Sequence, residues 1–277
     1  MYLTRHDTSG GPRWAADGRY LPEAVTLGLL LAMSTDAMGK VIAALPRGEA
    51  ADAPLASPVE DRQEVWAAGV TYRRSREARE AESTVKDVYS RVYDAPRPEL
   101  FFKCVGWRVQ GHGAAIRVRG DSRWNVPEPE LTVVANAAGE IVGYTVGNDV
   151  SSRDIEGDNP LYLPQAKVYD GSCAVGPGIV LAGAGAMRDL AISVRITRGQ
   201  ATAFEGSIQT SAIKRPLEEL VGYLHREMRF PHGVFLMTGT GIVPADDAFS
   251  LTPGDVVAIT VGEITLENRV AVNDGAR

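Results

Sequence analysis

Glu128 and Glu130 stand one residue apart in Pro127-Glu128-Pro129-Glu130-Leu131, a stretch with strand character. Side chains at i and i+2 of a strand leave the same face, so these two carboxylates lie side by side. Two like charges about 4 Å apart repel by roughly 4 kcal/mol in a partly wet protein, and something positive must offset that. A further carboxylate, Asp149, occurs in Gly147-Asn148-Asp149-Val150-Ser151-Ser152-Arg153-Asp154. Leu131 to Ala135, the turn Asn136-Ala137-Ala138-Gly139, and Ile141 to Val146 read as a hairpin. That hairpin returns Asp149 to the start of its first strand, with Leu131, Val133 and Ala135 turned toward an apolar layer. Three carboxylates at one end of a hairpin suit a hard divalent cation. Mg2+ takes oxygen ligands in an octahedron at about 2.0–2.1 Å, and Mn2+ accepts the same donors. Three positions then remain, and a 2-keto acid fills two of them with a carboxylate oxygen and its ketone oxygen. Alone, E-x-E is the ordinary pattern of a solvated strand face; Pro127, Pro129 and Asn148-Asp149 are what favour a site here.

Other residues fit around such an ion. Lys167, in Gln165-Ala166-Lys167-Val168-Tyr169, is an amine able to carry a proton or to anchor a developing oxyanion. Arg153 and Asp154 read equally well as a structural ion pair in a tight loop. Thr240, in Thr238-Gly239-Thr240-Gly241, offers a hydroxyl and nearby backbone N–H groups to a substrate carboxylate. Competing chemistries lack their signatures. The four histidines, His6, His112, His225 and His232, have no zinc-ligand spacing. There is no G-x-S-x-G elbow, no Walker-A loop and no G-x-G-x-x-G after a strand.

The elements that must position these groups follow from the rest of the chain. Its 277 residues suffice for one large domain or a domain with an annex. A net charge of −6 argues against a nucleic-acid partner. The longest apolar run, Val25 to Met33, is too short to span a bilayer, so no membrane partner is expected. Cys104 and Cys173 form no C-x-x-C pair and read as free thiols, and with no signal-peptide order at the N-terminus the expected location is the cytoplasm. Pro22 opens a helix whose apolar face is Val25, Leu29, Leu30 and Met33, and a second helix runs from Asp36 to Leu45. Residues 46–54 read as a linker, which makes 1–58 a small N-terminal α/β annex and 59–277 the main domain. In the main domain Val65 to Val70 is a buried strand, and Arg73 to about Arg91 is a charged helix. Short strands dominate after Leu100, interrupted by a helix from Pro216 with Leu217, Leu220, Val221, Leu224 and Met228 on one face. The fold class is α+β, mostly β, without the strand–helix alternation of a doubly wound sheet.

Seven segments recur in one order: Gly69-Val70-Thr71-Tyr72, Phe101-Phe102-Lys103, Glu128-Pro129-Glu130-Leu131, Gly143 through Asp154, Lys167, Thr238-Gly239-Thr240 and Pro253-Gly254-Asp255. The succession resembles the fumarylacetoacetate hydrolase family over roughly Glu64 to Val272. The resemblance implies a mixed β-roll catalytic domain that holds Mg2+, with Glu128, Glu130 and Asp149 on the metal-ligand positions and Lys167 on the active-site lysine. It also implies a homodimer or homotetramer. One departure is informative. Hydrolytic members carry N-Y-x-x-H-x-x-E to activate water, but Ser75 stands at the histidine position and Ala78 at the glutamate position. That motif and the Ser-Ser-Arg-Asp loop look like the branch typified by 2-keto-3-deoxy-D-arabinonate dehydratase.

The resulting expectation is a Mg2+-dependent dehydration of a small-molecule 2-keto-3-deoxy pentonate to 2,5-dioxopentanoate through an enolate. Lys167 is expected to move the proton, Arg153, Tyr72 and Thr240 to contact substrate or its surroundings, and Ser75 with the charged segment to Arg91 to form a lid. The alternatives are a C–C hydrolase or decarboxylase acting on an acylpyruvate or oxaloacetate, and a metal-binding protein without catalysis.

Overall fold

The structure is a computed structural model that describes residues 1–82, 91–244 and 249–272. Its strands, in chain order, are β1 Tyr2–Thr8, β2 Gly11–Ala16, β3 Arg19–Tyr20, β4 Glu64–Gly69, β5 Glu99–Val105, β6 Ala115–Val118, β7 Asn125–Val126, β8 Pro129–Ala135, β9 Ile141–Asp149, β10 Ser151–Ser152, β11 Cys173–Leu181, β12 Ala191–Arg198, β13 Ala201–Gln209, β14 Val234–Met237, β15 Val256–Val261 and β16 Ile264–Val272. Nine of them form one mixed sheet in the order β3-β2-β1-β11-β9-β8-β14-β4-β5. Five form a second sheet, β13-β12-β15-β16-β6, and β7 pairs with β10. The helices with both ends among the described residues are α1 Leu27–Leu31, α2 Thr35–Ala44, α3 Arg73–Glu82, α4 Arg153–Asp158, α5 Leu163–Lys167 and α6 Leu217–Leu224. The fold is mostly β, as the strand-rich sequence implies, and β1 of the N-terminal segment hydrogen-bonds to β11 within the large sheet.

Alternation along β8 separates two apolar layers. Leu131, Val133 and Ala135 pack with Ile192, Val194, Val257, Ile259 and the buried face of α6. Val134, on the opposite face, packs with Leu3, Phe235, Met237 and the residues of α1 and α2. Burial of side chains on both faces of β8 and β9 explains why these strands read as apolar runs. The expected hairpin forms, with Leu131 opposite Val146, and its turn is closed by Asn136 N–H to Glu140 O at 3.0 Å.

The large sheet is rolled rather than flat. Three strands, β8, β14 and β4, separate β9 from β5. Laid flat, four strand spacings of about 4.8 Å would hold β5 roughly 19 Å from β9. Instead, Nζ of Lys103 on β5 lies 2.5 Å from Oδ1 of Asp149 on β9. The same closure sets Cys104 near Cys173, and both are buried and free.

The helices differ in detail from their sequence expectation. The first begins after Thr26 rather than at Pro22, because Thr26 Oγ1 accepts from Leu29 N–H and the Glu60 carboxylate accepts from Leu27 and Gly28 N–H. Leu29 is consequently exposed, and Leu27, Leu30 and Leu31 form the buried side. α2 starts one residue early, at a Ser34 cap. α6 stops at Leu224, so Met228 lies outside it and is partly exposed. The charged helix is described to Glu82; the lid assignment for residues 83–90 falls outside the described residues.

Candidate active site

The three sequence-selected carboxylates converge. Antiparallel pairing sets Pro129 opposite Asn148 and Glu130 opposite Gly147, and Asp149 N–H donates to Glu128 O at 3.0 Å. One carboxylate oxygen from each of Glu128, Glu130 and Asp149 lies within 4.8 Å of the others. All three side chains are buried, Glu130 and Asp149 at 1 % exposure. This is not a solvated strand face. An all-oxygen, triply acidic, desolvated cluster is the donor set that a hard divalent ion requires, so the residues present fit such an ion.

Three cations enclose the carboxylates. Lys167 Nζ donates to Glu128 Oε2 at 2.7 Å and to Asp149 Oδ2 at 3.0 Å. Arg153 donates to Glu128 Oε1 at 2.9 Å. Lys103, fully buried, pairs with Asp149 and donates to the carbonyl oxygens of Val150 and Lys167. Arg153 therefore holds Glu128 rather than its neighbour Asp154, whose carboxylate accepts from Ser122 Oγ and Arg123 N–H. The lysine ring around the triad was half visible in sequence: Lys167 stood out, whereas Lys103 had no assigned role until the sheet closed over it.

Glu130 is placed differently from its partners. Its Oε2 accepts from Gly239 N–H at 2.6 Å. Gly239 has φ of 92°, and a Cβ there would sit 2.0 Å from Thr71 Oγ1, so only glycine delivers that N–H. Burial, reinforced by the charges of Asp149 and then Glu128, pushes the Glu130 carboxyl well above its ordinary 4.5. A raised value in the folded state favours the metal-free fold below the ordinary glutamate range, and that contribution is lost as pH rises through the raised value. A bound cation must displace the same proton. Two results follow: Mg2+ affinity measured by calorimetry rises with pH, and metal-free protein loses thermal stability over the same range. A Mg2+ affinity that does not change as pH rises above the ordinary glutamate range would contradict this.

Ser75, Thr240 and Lys167 line one cavity with Glu128 and Asp149. Ser75 Oγ donates to Tyr72 O at 3.0 Å, and Thr240 Oγ1 accepts from Ile242 N–H at 3.2 Å. Tyr72 is buried behind them, and its hydroxyl has no hydrogen-bond partner among the described residues. Burial, with Glu130 nearby, pushes that hydroxyl well above the ordinary phenol range, so it stays a neutral donor. Val70 lines the cavity at φ of 52°, a strained conformation for a β-branched residue that is found mainly where function demands it.

Two further cavity carboxylates, Glu99 and Glu156, were absent from the sequence assignment. Glu156 had a signal: it follows Arg153 by three residues, the spacing that puts both on one side of α4. Glu99 had none. Its carboxylate lies over Gly69, where an added Cβ would fall 2.1 Å from Oε2. Gly69→Ala therefore displaces a flexible side chain rather than backbone. The expected outcome is a stability loss of about 1 kcal/mol or less but at least a tenfold drop in turnover, checked by parallel melts and rates. Equal turnover would mean that Glu99 is not needed where it sits.

The sequence profile described as fumarylacetoacetate (FAA) hydrolase C-terminal matches residues 64–271. The chain is 51 % identical over 212 residues to a protein of Haloferax volcanii named probable 2-keto-3-deoxyxylonate dehydratase, covering 76 % of this chain and 73 % of that one. It is 45 % identical over 218 residues to 2-dehydro-3-deoxy-D-arabinonate dehydratase of Saccharolobus solfataricus, covering 77 % and 72 % of the two chains. A solved structure of 2-keto-3-deoxy-D-arabinonate dehydratase complexed with magnesium and 2,5-dioxopentanoate superposes with a TM-score of 0.84 at 37 % identity, over 99 % of both chains. No helix among the described residues is long and apolar enough to cross a membrane.

Proposed function

The chain belongs to the fumarylacetoacetate hydrolase family, and from that premise we propose that it is a magnesium-dependent dehydratase converting a 2-keto-3-deoxy pentonate to 2,5-dioxopentanoate. The observation that supports this reading is the buried triad of Glu128, Glu130 and Asp149 beside a cavity lined by Ser75, which stands where the family resemblance implies a water-activating histidine. Without that histidine, the water-activating pair that the family resemblance implies is incomplete. Elimination needs no activated water, because water is its product.

Glu128, Glu130 and Asp149 would hold the Mg2+ ion, which supplies Lewis-acid polarisation of a 2-keto group. The protein's own groups do the rest. Lys167 donates to two carboxylates, and an ammonium so engaged gives hydrogen bonds but accepts no proton. We therefore assign it to anchoring charge at the ketone oxygen and to holding Glu128 and Asp149 in place. Arg153 fixes Glu128 from the other side. Removal of the C3 proton falls to a cavity carboxylate outside the triad, and Glu99, held against Gly69, is our choice. The free thiols support a cytoplasmic enzyme, and the family supports a homodimer or homotetramer.

A panel of 2-keto-3-deoxy pentonates and acetylpyruvate, with and without Mg2+, tests the reading. Aldehyde product from a pentonate only when Mg2+ is present is the expected result. Acid products from acetylpyruvate would instead indicate the hydrolase, and Mg2+ binding with no turnover of any 2-keto acid would leave a metal-binding protein.

A further inference from the structure

Glu99 and Glu156 line two adjoining spaces. The inner one, which reaches the triad, is about 30 Å³. The outer one, about 300 Å³, is bounded by Arg97, Pro98 and Pro160 and shares Glu99, Glu156 and Leu163 with the first. The inner space has about a tenth of the outer volume, too little for an ion together with a whole five-carbon chain. A pentonate held through C1 and C2 at the triad must therefore send C4 and C5 outward past the two shared carboxylates. The position of Glu156 there is fixed. Arg153 and Glu156 lie one turn apart as the buried residues of α4, and the Arg153 bond to Glu128 locks that helix to the triad.

Dehydration moves two protons at different carbons. One leaves C3, and another must reach the C4 oxygen, because hydroxide is a poor leaving group. We propose that Glu156 is the acid that protonates the departing C4 hydroxyl, a role that rests on the dehydratase reading above. In the step, Glu99 takes the C3 proton and the C–H electron pair becomes the enolate. That pair then forms the C3–C4 double bond as the C4–O bond breaks. The Glu156 O–H bond breaks as a new O–H bond forms on the leaving oxygen, and water departs; a proton then leaves C5 as one is added at C3, and the resulting C4–C5 enol tautomerises to the aldehyde. Glu99 ends protonated and Glu156 ionised, and exchange with solvent restores both.

The test separates C3 deprotonation from loss of the leaving group. With 2-oxopentanoate in D2O and Mg2+, which has a C3 proton but no C4 hydroxyl, Glu156→Gln should exchange C3 hydrogen within about threefold of the parent enzyme. Its dehydration of 2-keto-3-deoxy pentonate should fall about 10²–10⁴-fold, the range for loss of a positioned acid. Fluoride release from 4-fluoro-2-oxopentanoate, whose leaving group needs no proton, should return to within about threefold of the parent. Glu156→Asp, with a shortened acid, should recover part of the dehydration rate, and melting curves establish that both variants fold. The proposal is overturned if Glu156→Gln dehydrates at the parent rate, or if exchange, fluoride release and dehydration all fall together. If the parent enzyme exchanges C3 hydrogen but dehydrates no pentonate, the dehydratase reading itself fails, an outcome visible before any variant is made.

Discussion

Glu130→Ala abolishes Mg2+-dependent turnover, with a loss of about 10³-fold or more. The size follows from the chemistry: polarisation of the ketone contributes several kcal/mol, and each 1.36 kcal/mol is a factor of about ten in rate. The variant also separates function from stability. Glu130 is buried beside two other carboxylates, and burial followed by their charges drives it toward the neutral acid. Its removal relieves that conflict at the cost of one hydrogen bond from Gly239 N–H. In a chelator, the melting temperature of Glu130→Ala should therefore stay within a few degrees of the parent or exceed it, while the Mg2+-induced rise seen for the parent disappears. Calorimetry and melts with and without Mg2+ read both effects. Retained turnover that still responds to Mg2+ would remove the triad from the mechanism.

Lys103→Met has the opposite profile, because here the fold itself depends on the side chain. Lys103 is fully buried, with its ammonium against Asp149 and the carbonyl oxygens of Val150 and Lys167. Removing the charge leaves buried Asp149 with Lys167 as its remaining cation and takes a donor from two buried carbonyls, of which Lys167 O keeps the Ser172 hydroxyl. Breaking one partner of a buried ion pair costs about 3–5 kcal/mol, which for a chain of this size corresponds to a drop of roughly 10 °C in melting temperature. Methionine retains most of the apolar stem, so packing loss is not the cause. Mg2+ should recover part of the stability, since a cation at the triad neutralises Asp149 and stabilises the folded state by mass action. Lys103→Arg should not restore the parent, because a planar guanidinium does not fit three acceptors arranged around a point charge. A melting temperature within about 2 °C of the parent for Lys103→Met would show that the roll closes without this contact.

Much of the site was readable along the chain because its pieces are local. The period of two in Glu128-Pro129-Glu130 put both carboxylates on one side, and the β8–β9 hairpin, with a short turn at 136–139, returned Asp149 to them. Register is fixed by the short turn, since both faces of β8 are buried and alternation alone does not choose between them. Helix boundaries were less legible. The start of α1 depends on Glu60, a residue more than thirty positions away whose carboxylate caps it.

The amino-acid order by itself determined the triad and the mostly β fold, since each depends on spacing within one or two neighbouring elements; the missing histidine was legible through the family resemblance. Only the tertiary structure decided the surroundings: Lys103 against Asp149, Arg153 on Glu128 instead of Asp154, and Glu99 and Glu156 lining one pocket. The physical reason is the curl of the nine-stranded sheet. It accumulates from the twist between successive strands, and no periodicity in one segment records how far it carries β5 round to meet β9.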